Sequence, residues 1–295
     1  MDDLNKDYFR KEKKIIEFSI DGDDRLYQIA DRHSYIFGKT KLTIPTPNIA
    51  GIFLNAAEKE TTLARRIYKI HIQPILNLKE NIEVSDLQSA QLFTYIEHIQ
   101  MAVITLYTAI ESLVNTLIPQ DYLHHEEKNG GSLLMDKPYI ERNKSTDFKL
   151  STILPNALEI KSPKISSHWP NFKKLEDIRN NIIHLKTEAL NEEDMDKNLM
   201  YSLLKPSIFK IIQSTLRLIA ELTATIDDGY NAPILSQKDA TFRMVFEDWE
   251  LMEEYFIAKG ILPSLDKDEK EDKKKLSETV GKQNIRAFRM VTRIK

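Results

Sequence analysis

The sequence predicts a mostly α-helical protein: a helical bundle with a small mixed appendage on its N-terminal side and extra helices on its C-terminal side. Three observations carry that expectation. The strongest apolar periodicity, between Ser85 and Pro119, recurs at intervals of three and four residues, the period of one face of an α-helix. Two further segments, 172–188 and 191–226, repeat the pattern. Glycine is scarce, 8 residues in 295, which argues against a sheet-rich chain with many tight turns and against glycine-lined nucleotide loops.

Residues 1–83 read as the appendage. Ile15-Ile16-Glu17-Phe18-Ser19-Ile20 followed by Asp21-Gly22-Asp23-Asp24 has the look of a strand entering a turn, and predicts a short hairpin. Leu42 to Asn48 is held extended by Pro45 and Pro47, and Ile49 to Leu78 reads as loop and moderately helical sequence interrupted at Pro74.

The bundle is expected over 84–228. Ser85 with Gln88 three residues on forms a capping box, and Leu92, Ile96, Ile99, Val103, Leu106, Ile110, Leu113 and Leu117 make one stripe on a helix roughly 50 Å long at ~1.5 Å per residue. Ala102, Tyr107, Ala109 and Val114 predict that its second half is covered on more than one face. Residues 119–145, with Asn129-Gly130-Gly131-Ser132 and little periodicity, read as a long loop. Ser145 or Thr146 caps a short helix that Pro155 follows. Trp169-Pro170 leads into a helix from Phe172 to about Glu188, and Pro206 is expected to bend the helical pattern that ends near Asp228-Gly229. In the C-terminal extension, 229–295, Ser236 to Asp239 resembles a capping box for an amphipathic helix carrying Phe242, Phe246, Trp249 and Phe256. The run from Asp266 to Lys275 reads as a solvated linker.

Composition narrows the chemistry. A formal charge of −3, with 41% hydrophobic and 29% charged residues, is that of an ordinary globule, so any nucleic-acid contact must be local. The absence of cysteine excludes thiolate nucleophiles, disulfides and cysteine-ligated zinc. Without an apolar run near ~20 residues, and with a polar Met1-Asp2-Asp3-Leu4 start, the expectation is a cytoplasmic protein without a membrane partner. No phosphate-binding glycine loop, nucleophile elbow or dinucleotide fingerprint is present.

One segment does look chemical. Arg179-Asn180-Asn181-Ile182-Ile183-His184 sets an always-charged guanidinium beside a group that gives and takes protons near neutral pH. At ~100° per residue, Leu175, Ile178, Ile182 and Leu185 gather in one apolar stripe. Asp177, Asn180 and His184 fall opposite it, and Arg179 and Ile183 lie on the flank. Asn180, one turn before His184, is in reach of the imidazole. The apolar Ile183 beside them suggests a covered face.

The segment from Trp169 to His184 resembles the signature of the HEPN superfamily, the higher-eukaryote and prokaryote nucleotide-binding domains: an arginine, a polar residue directly after it, and a histidine four to six positions beyond the arginine. Arg179, Asn180 and His184 match all three. The stretch Leu106 to Leu113, with Glu111, looks like the family's long second helix, and the likeness covers about 84–228. It implies an up-and-down bundle, a homodimer in which two motifs form a composite metal-independent endoribonuclease site, and RNA as substrate, with no cofactor. His184 would serve as general base or acid, Arg179 would stabilise the phosphorane, Asn180 would hold the imidazole or bind phosphate, and Glu111 would support the site. A toxin or antiphage-defence effector with an antitoxin or defence-system partner is the setting it suggests. Where family toxins regulated by a nucleotidyltransferase carry a tyrosine, this chain has Lys186. The alternative is a non-catalytic HEPN-like binding or assembly module.

Other candidates compete less well. His124-His125-Glu126-Glu127 contains metal-ligating types, but consecutive residues rarely converge on one ion, and a polar loop is the simpler reading. Arg286, Arg289 and Arg293 sit at helical spacing and could clamp phosphate; a solvated face accounts for them as well.

Overall fold

Alternating apolar and polar residues open the chain as two antiparallel hairpins. The computed structural model describes residues 14–20, 23–29, 32–78, 81–128, 131–184 and 198–226, with Ile257 beyond them. Strand β1 (Lys14–Ile20) pairs with β2 (Asp23–Ile29) from Lys14↔Ile29 to Ile20↔Asp23, as the sequence pattern predicted. β3 (Arg32–Phe37) pairs with β4 (Thr40–Pro45). Gly38 supplies the positive φ of 60° that their two-residue turn uses.

Helix α1 (Ile49–Ile67) occupies the segment read from sequence as loop and moderate helix. Its N-terminus is capped by Asn48, whose Oδ1 accepts from the Gly51 amide at 3.0 Å. Its buried stripe is Ala50, Leu54, Ala57, Thr61, Ala64 and Tyr68, regular at helical spacing but built from small residues, so the apolar signal is weak in sequence. Thr61 and Thr62 return their hydroxyls to the carbonyls of Ala57 and Glu58, which satisfies them inside the helix.

The helix is not ended by Pro74. A π-helical stretch, Tyr68–Ile72, widens the turn before it, and α2 (Gln73–Leu76) follows with Pro74 in its first turn. The same device recurs later. Ser145 caps the helical turn Thr146–Phe148 as expected, its Oγ accepting from the Phe148 amide at 3.2 Å, but the helix does not stop at Pro155. A second π stretch, Lys149–Ile153, carries it into a further turn, Leu154–Leu158. Proline lacks an N–H and crowds the carbonyl four residues back; here that carbonyl is Ser151, which accepts from Ser162 Oγ at 3.0 Å.

Helix α3 (Asp86–Leu117) is the long helix predicted. The Ser85 amide donates to Gln88 Oε1 at 2.9 Å and the Gln88 amide to Ser85 Oγ at 3.4 Å, which is the reciprocal capping box. Ile99, Val103, Leu106, Ile110, Leu113 and Leu117 are buried, and so are Ala102, Tyr107, Ala109 and Val114.

The expected long loop at 119–145 is wrong. β5 (His124–Lys128) and β6 (Gly131–Met135) form a third hairpin with Lys128↔Gly131 as its closing pair, and α4 (Lys137–Asn143) follows, capped by Asp136. The sequence signal was Asn129-Gly130, the dipeptide most often found between hairpin strands. It was missed because β5, rich in His, Glu and Lys, has low strand propensity.

After α4 come α5 (Thr146–Phe148), α6 (Leu154–Leu158) and α7 (Trp169–Ile183). Pro206 separates two helices rather than bending one: α8 (Leu199–Leu204) ends at Lys205, which is extended at ψ 134°, and α9 (Ser207–Thr225) begins beyond the proline. The expected helix end near 228–229 and everything expected of 229–295, including Arg286, Arg289 and Arg293, lie outside the described residues. Among the described residues no helix is long and apolar enough to cross a membrane.

The chain divides into two compact units, each assembled from separated stretches of sequence. The first takes its described residues from 14–55, 107–170 and 217–226. Lys149 is fully buried there and donates from Nζ to Asn115 Oδ1 at 2.9 Å and to the Glu141 carbonyl at 2.8 Å. The second takes its residues from 56–106 and 171–216. Its core is keyed by three rings: Tyr68 lies 5.5 Å from Tyr95 and 5.4 Å from Phe209, separations at which tilted and edge-on pairs attract. The Tyr95 hydroxyl donates to the Leu203 carbonyl at 2.5 Å. Arg65 lies over the Phe209 ring.

Candidate functional site

Helix α7 starts at Trp169, three residues before the expected Phe172. Ser166 Oγ accepts from the His168 amide at 3.1 Å and its carbonyl accepts from the Trp169 amide at 3.1 Å, while Pro170, which needs no amide partner, sits in the first turn. The turn is tied to α9, since Ser166 Oγ donates to Glu221 at 2.5 Å. One turn on, Asn171 Nδ2 donates to Ser214 Oγ at 2.9 Å. Phe172, Leu175 and Ile178 then bury the apolar stripe, and a close Lys173–Glu176 pair covers its edge.

This leaves the other face of α7 open. Asp177, Asn180 and His184 are exposed, and Arg179 is half-buried on the flank, the arrangement that helical geometry anticipates. Arg179 Nη1 donates to Asn180 Oδ1 at 3.0 Å. The asparagine carbonyl oxygen is therefore turned to the guanidinium, whereas the partner expected for the side-chain amide is the imidazole. His184 stays in helical register, its amide donating to the Asn180 carbonyl at 2.9 Å. Ile183 keeps 46% of its surface exposed in the single chain. Leu185, the last residue of the expected stripe, and Lys186 lie outside the described residues.

The helix carries an arginine and a histidine five residues, about 1.4 turns, apart. An anion such as phosphate would be drawn to the guanidinium, whose planar fork matches its oxygens.

Glu111 lies in the first unit. It is half-buried, and its charge acts on the buried Lys149. Burial pushes the Lys149 amine below the usual lysine range, while Glu111 and Glu141 pull it back. The His124–Glu127 run is a strand, so alternate residues take opposite faces. His124 is buried and meets the Tyr122 hydroxyl at 3.2 Å, Glu126 pairs with Lys144 at 2.7 Å, and His125 is bonded to the Ser132 hydroxyl. The four do not converge on one point, and among the described residues no group of three His, Cys, Asp or Glu is placed to hold a metal ion.

Two titratable features of the second unit had no sequence signal. His98 Nδ1 meets Glu60 Oε2 at 2.6 Å, a pairing between α3 and α1 across 38 residues. Glu58, on α1, has its carboxyl pushed up to about 8 by burial, so it holds its proton at neutral pH.

Comparison of the chain with models of known families, with characterised proteins and with solved structures returned no match.

Proposed function

We propose that this protein is a metal-independent endoribonuclease of the HEPN kind, an up-and-down helical bundle that acts as a homodimer with its two α7 motifs facing one another. The observation that carries the reading is the face of α7: an arginine held to the adjacent asparagine at 3.0 Å, and a histidine one turn on, all outside the helix's apolar stripe.

In this reading the RNA 2′-hydroxyl attacks the adjacent phosphorus and the 5′-oxygen leaves, giving a 2′,3′-cyclic phosphate. One copy's His184 accepts the proton of the attacking hydroxyl and the other's returns a proton to the departing oxygen, general acid–base steps worth ~10²–10⁴-fold. Arg179 stabilises the charge that accumulates on the phosphorane oxygens. The bond to Asn180 fixes the guanidinium before substrate arrives, which lowers the ordering cost on binding. DNA is spared because it lacks the nucleophile. Ile183, flanking the motif, gains a covered position when two copies meet. A toxin or antiphage-defence effector is the biological role such an activity fits.

The test is incubation of the purified chain with mixed cellular RNA and a chelator, beside Arg179→Ala and His184→Ala. Cleavage by the parent alone, with cyclic-phosphate ends, is the expected result. Cleavage that persists in both variants or disappears with the chelator removes the mechanism.

A further inference from the structure

Along the whole of β3 both faces of the hairpin β3–β4 are exposed. A two-stranded hairpin that buries neither face has little intrinsic reason to persist unless it meets something. Its register assigns the faces. Ser34 and Thr43 are cross-strand partners whose hydroxyls bond at 2.8 Å, so they share one side with Arg32, Ile36 and Lys41. The alternate residues His33, Tyr35, Phe37 and Leu42 share the other. Tyr35 is 43% exposed, Phe37 63% and Leu42 47%.

The charge is as uneven as the apolar surface. Residues 32–45 contain Arg32, Lys39 and Lys41, all exposed, and no acidic residue, in a chain whose formal charge is −3. Three rings in line on one face, with one cation at the turn and two on the opposite face of a hairpin only two strands wide, offer what a single-stranded nucleic acid needs: a stacking surface that every base can use and a positive field for its backbone. Alternate residues of a strand rise ~6.8 Å, about twice the ~3.4 Å rise per nucleotide of a stacked strand, so unpaired bases can lie against successive rings. A duplex cannot, because its bases are already stacked. A protein partner would be served by the apolar face but not by the cations around it.

We infer that β3–β4 is a docking arm for single-stranded RNA, with Tyr35 and Phe37 stacking on bases and Arg32, Lys39 and Lys41 holding the phosphates. This rests on the ribonuclease reading for the identity of the ligand, and it assigns the arm to affinity and strand preference, with the bond-breaking left to α7.

The experiment measures fluorescence anisotropy of a labelled unstructured oligoribonucleotide with the full chain carrying His184→Ala, so that the probe stays intact. Tyr35→Ala with Phe37→Ala should weaken binding about a hundredfold, tenfold per ring, while Tyr35→Trp with Phe37→Trp restores it. Replacing Arg32, Lys39 and Lys41 by alanine should flatten the plot of log affinity against log salt by ~2, at ~0.7 per phosphate contact. Leu134→Ser, on exposed β6, should change neither. A duplex of the same sequence should bind more weakly and ignore the aromatic substitutions.

Unchanged affinity in the aromatic and basic variants overturns the inference. So does a shift from dimer to monomer with RNA binding intact, which would make the arm a contact between copies. The two readings fail separately: hairpin-dependent binding without any cleavage by the parent protein removes the nuclease and leaves the arm, whereas cleavage with hairpin-independent binding removes only the arm.

Discussion

Lys149 and Arg179 are both cations set among the apolar residues of a helix, yet they differ in burial and in where their partners come from. Lys149 is fully buried, with Nζ bonded to Asn115 and to the Glu141 carbonyl and with Glu111 adding its charge. Arg179 is half-buried, donates a hydrogen bond to the neighbouring Asn180, and lies on the same helix as an exposed His184. Lys149 commits two of its donors to groups inside the fold, whereas Arg179 donates to the residue beside it in sequence, next to an exposed histidine. The contrast teaches that burial and partnership tell two such clusters apart better than residue type does, since both combine a cation with a nearby amide.

The contrast is broken most decisively at α7. His184→Ala and Arg179→Ala should each lower RNA cleavage by ~10²–10⁴-fold, and His184→Ala should move the thermal midpoint by less than about 2 °C, because exposed substitutions rarely cost more than ~0.5 kcal/mol. A large loss of stability in the His184 variant would make the α7 cluster structural and erase the distinction. At the other pole, Lys149→Met should cost about 2–3 kcal/mol by urea denaturation, since it leaves the Asn115 oxygen and the Glu141 carbonyl buried without their donor. The Lys149 pKa is lowered in the folded state. Its contribution is therefore present above the unfolded value of 10.5 and is lost as pH falls through the folded value, so the parent should gain on the variant as pH rises toward 10.5. A loss below about 1 kcal/mol would show that the buried amine matters little.

Glu58 lies between the two poles, a carboxyl enclosed by the fold on a residue that keeps some contact with water. Its folded pKa of about 8 against 4.5 means that folding retains a proton between those values. The stabilisation is complete below pH 4.5 and is lost as pH rises through 8. Glu58→Gln should remove about 2 kcal/mol of that pH dependence, less than the full ~1.4 kcal/mol per unit because the residue is not wholly dry. Identical pH–stability profiles for parent and variant would place Glu58 in water. The smallest effect is expected at the exposed cap of α3, where Ser85→Ala should cost about 1 kcal/mol without touching RNA cleavage, and a change in cleavage there would argue that α3's N-terminus belongs to the site.

Helices with large apolar side chains were legible in the sequence. α3 was read with its capping box, its stripe and its two-sided burial, because Leu, Ile and Val at spacings of three and four leave no other economical arrangement. The face of α7 was legible for the same reason: once Leu175 and Ile178 go inward, helical geometry sends Asp177, Asn180 and His184 outward. α1 was under-read because its stripe is Ala and Thr, and β5–β6 was missed because a strand of His, Glu and Lys carries no apolar alternation. The three prolines show the limit most clearly. Pro206 separates two helices, whereas Pro74 and Pro155 are passed by π turns, and the local sequence around each does not distinguish them.

The sequence by itself determined the helical class, the long helix with its cap, the first hairpin and the outward face of the Arg179–Asn180–His184 motif, all of which follow from periodicities and hydrogen bonds spanning a few residues. Only the tertiary structure decided that Glu111 serves Lys149, that Glu60 meets His98 and that the carbonyl opposite Pro155 finds Ser162. Those outcomes depend on which groups, apart in sequence, arrive together where water is partly excluded, and there an unsatisfied donor, acceptor or charge is costly enough to select the arrangement.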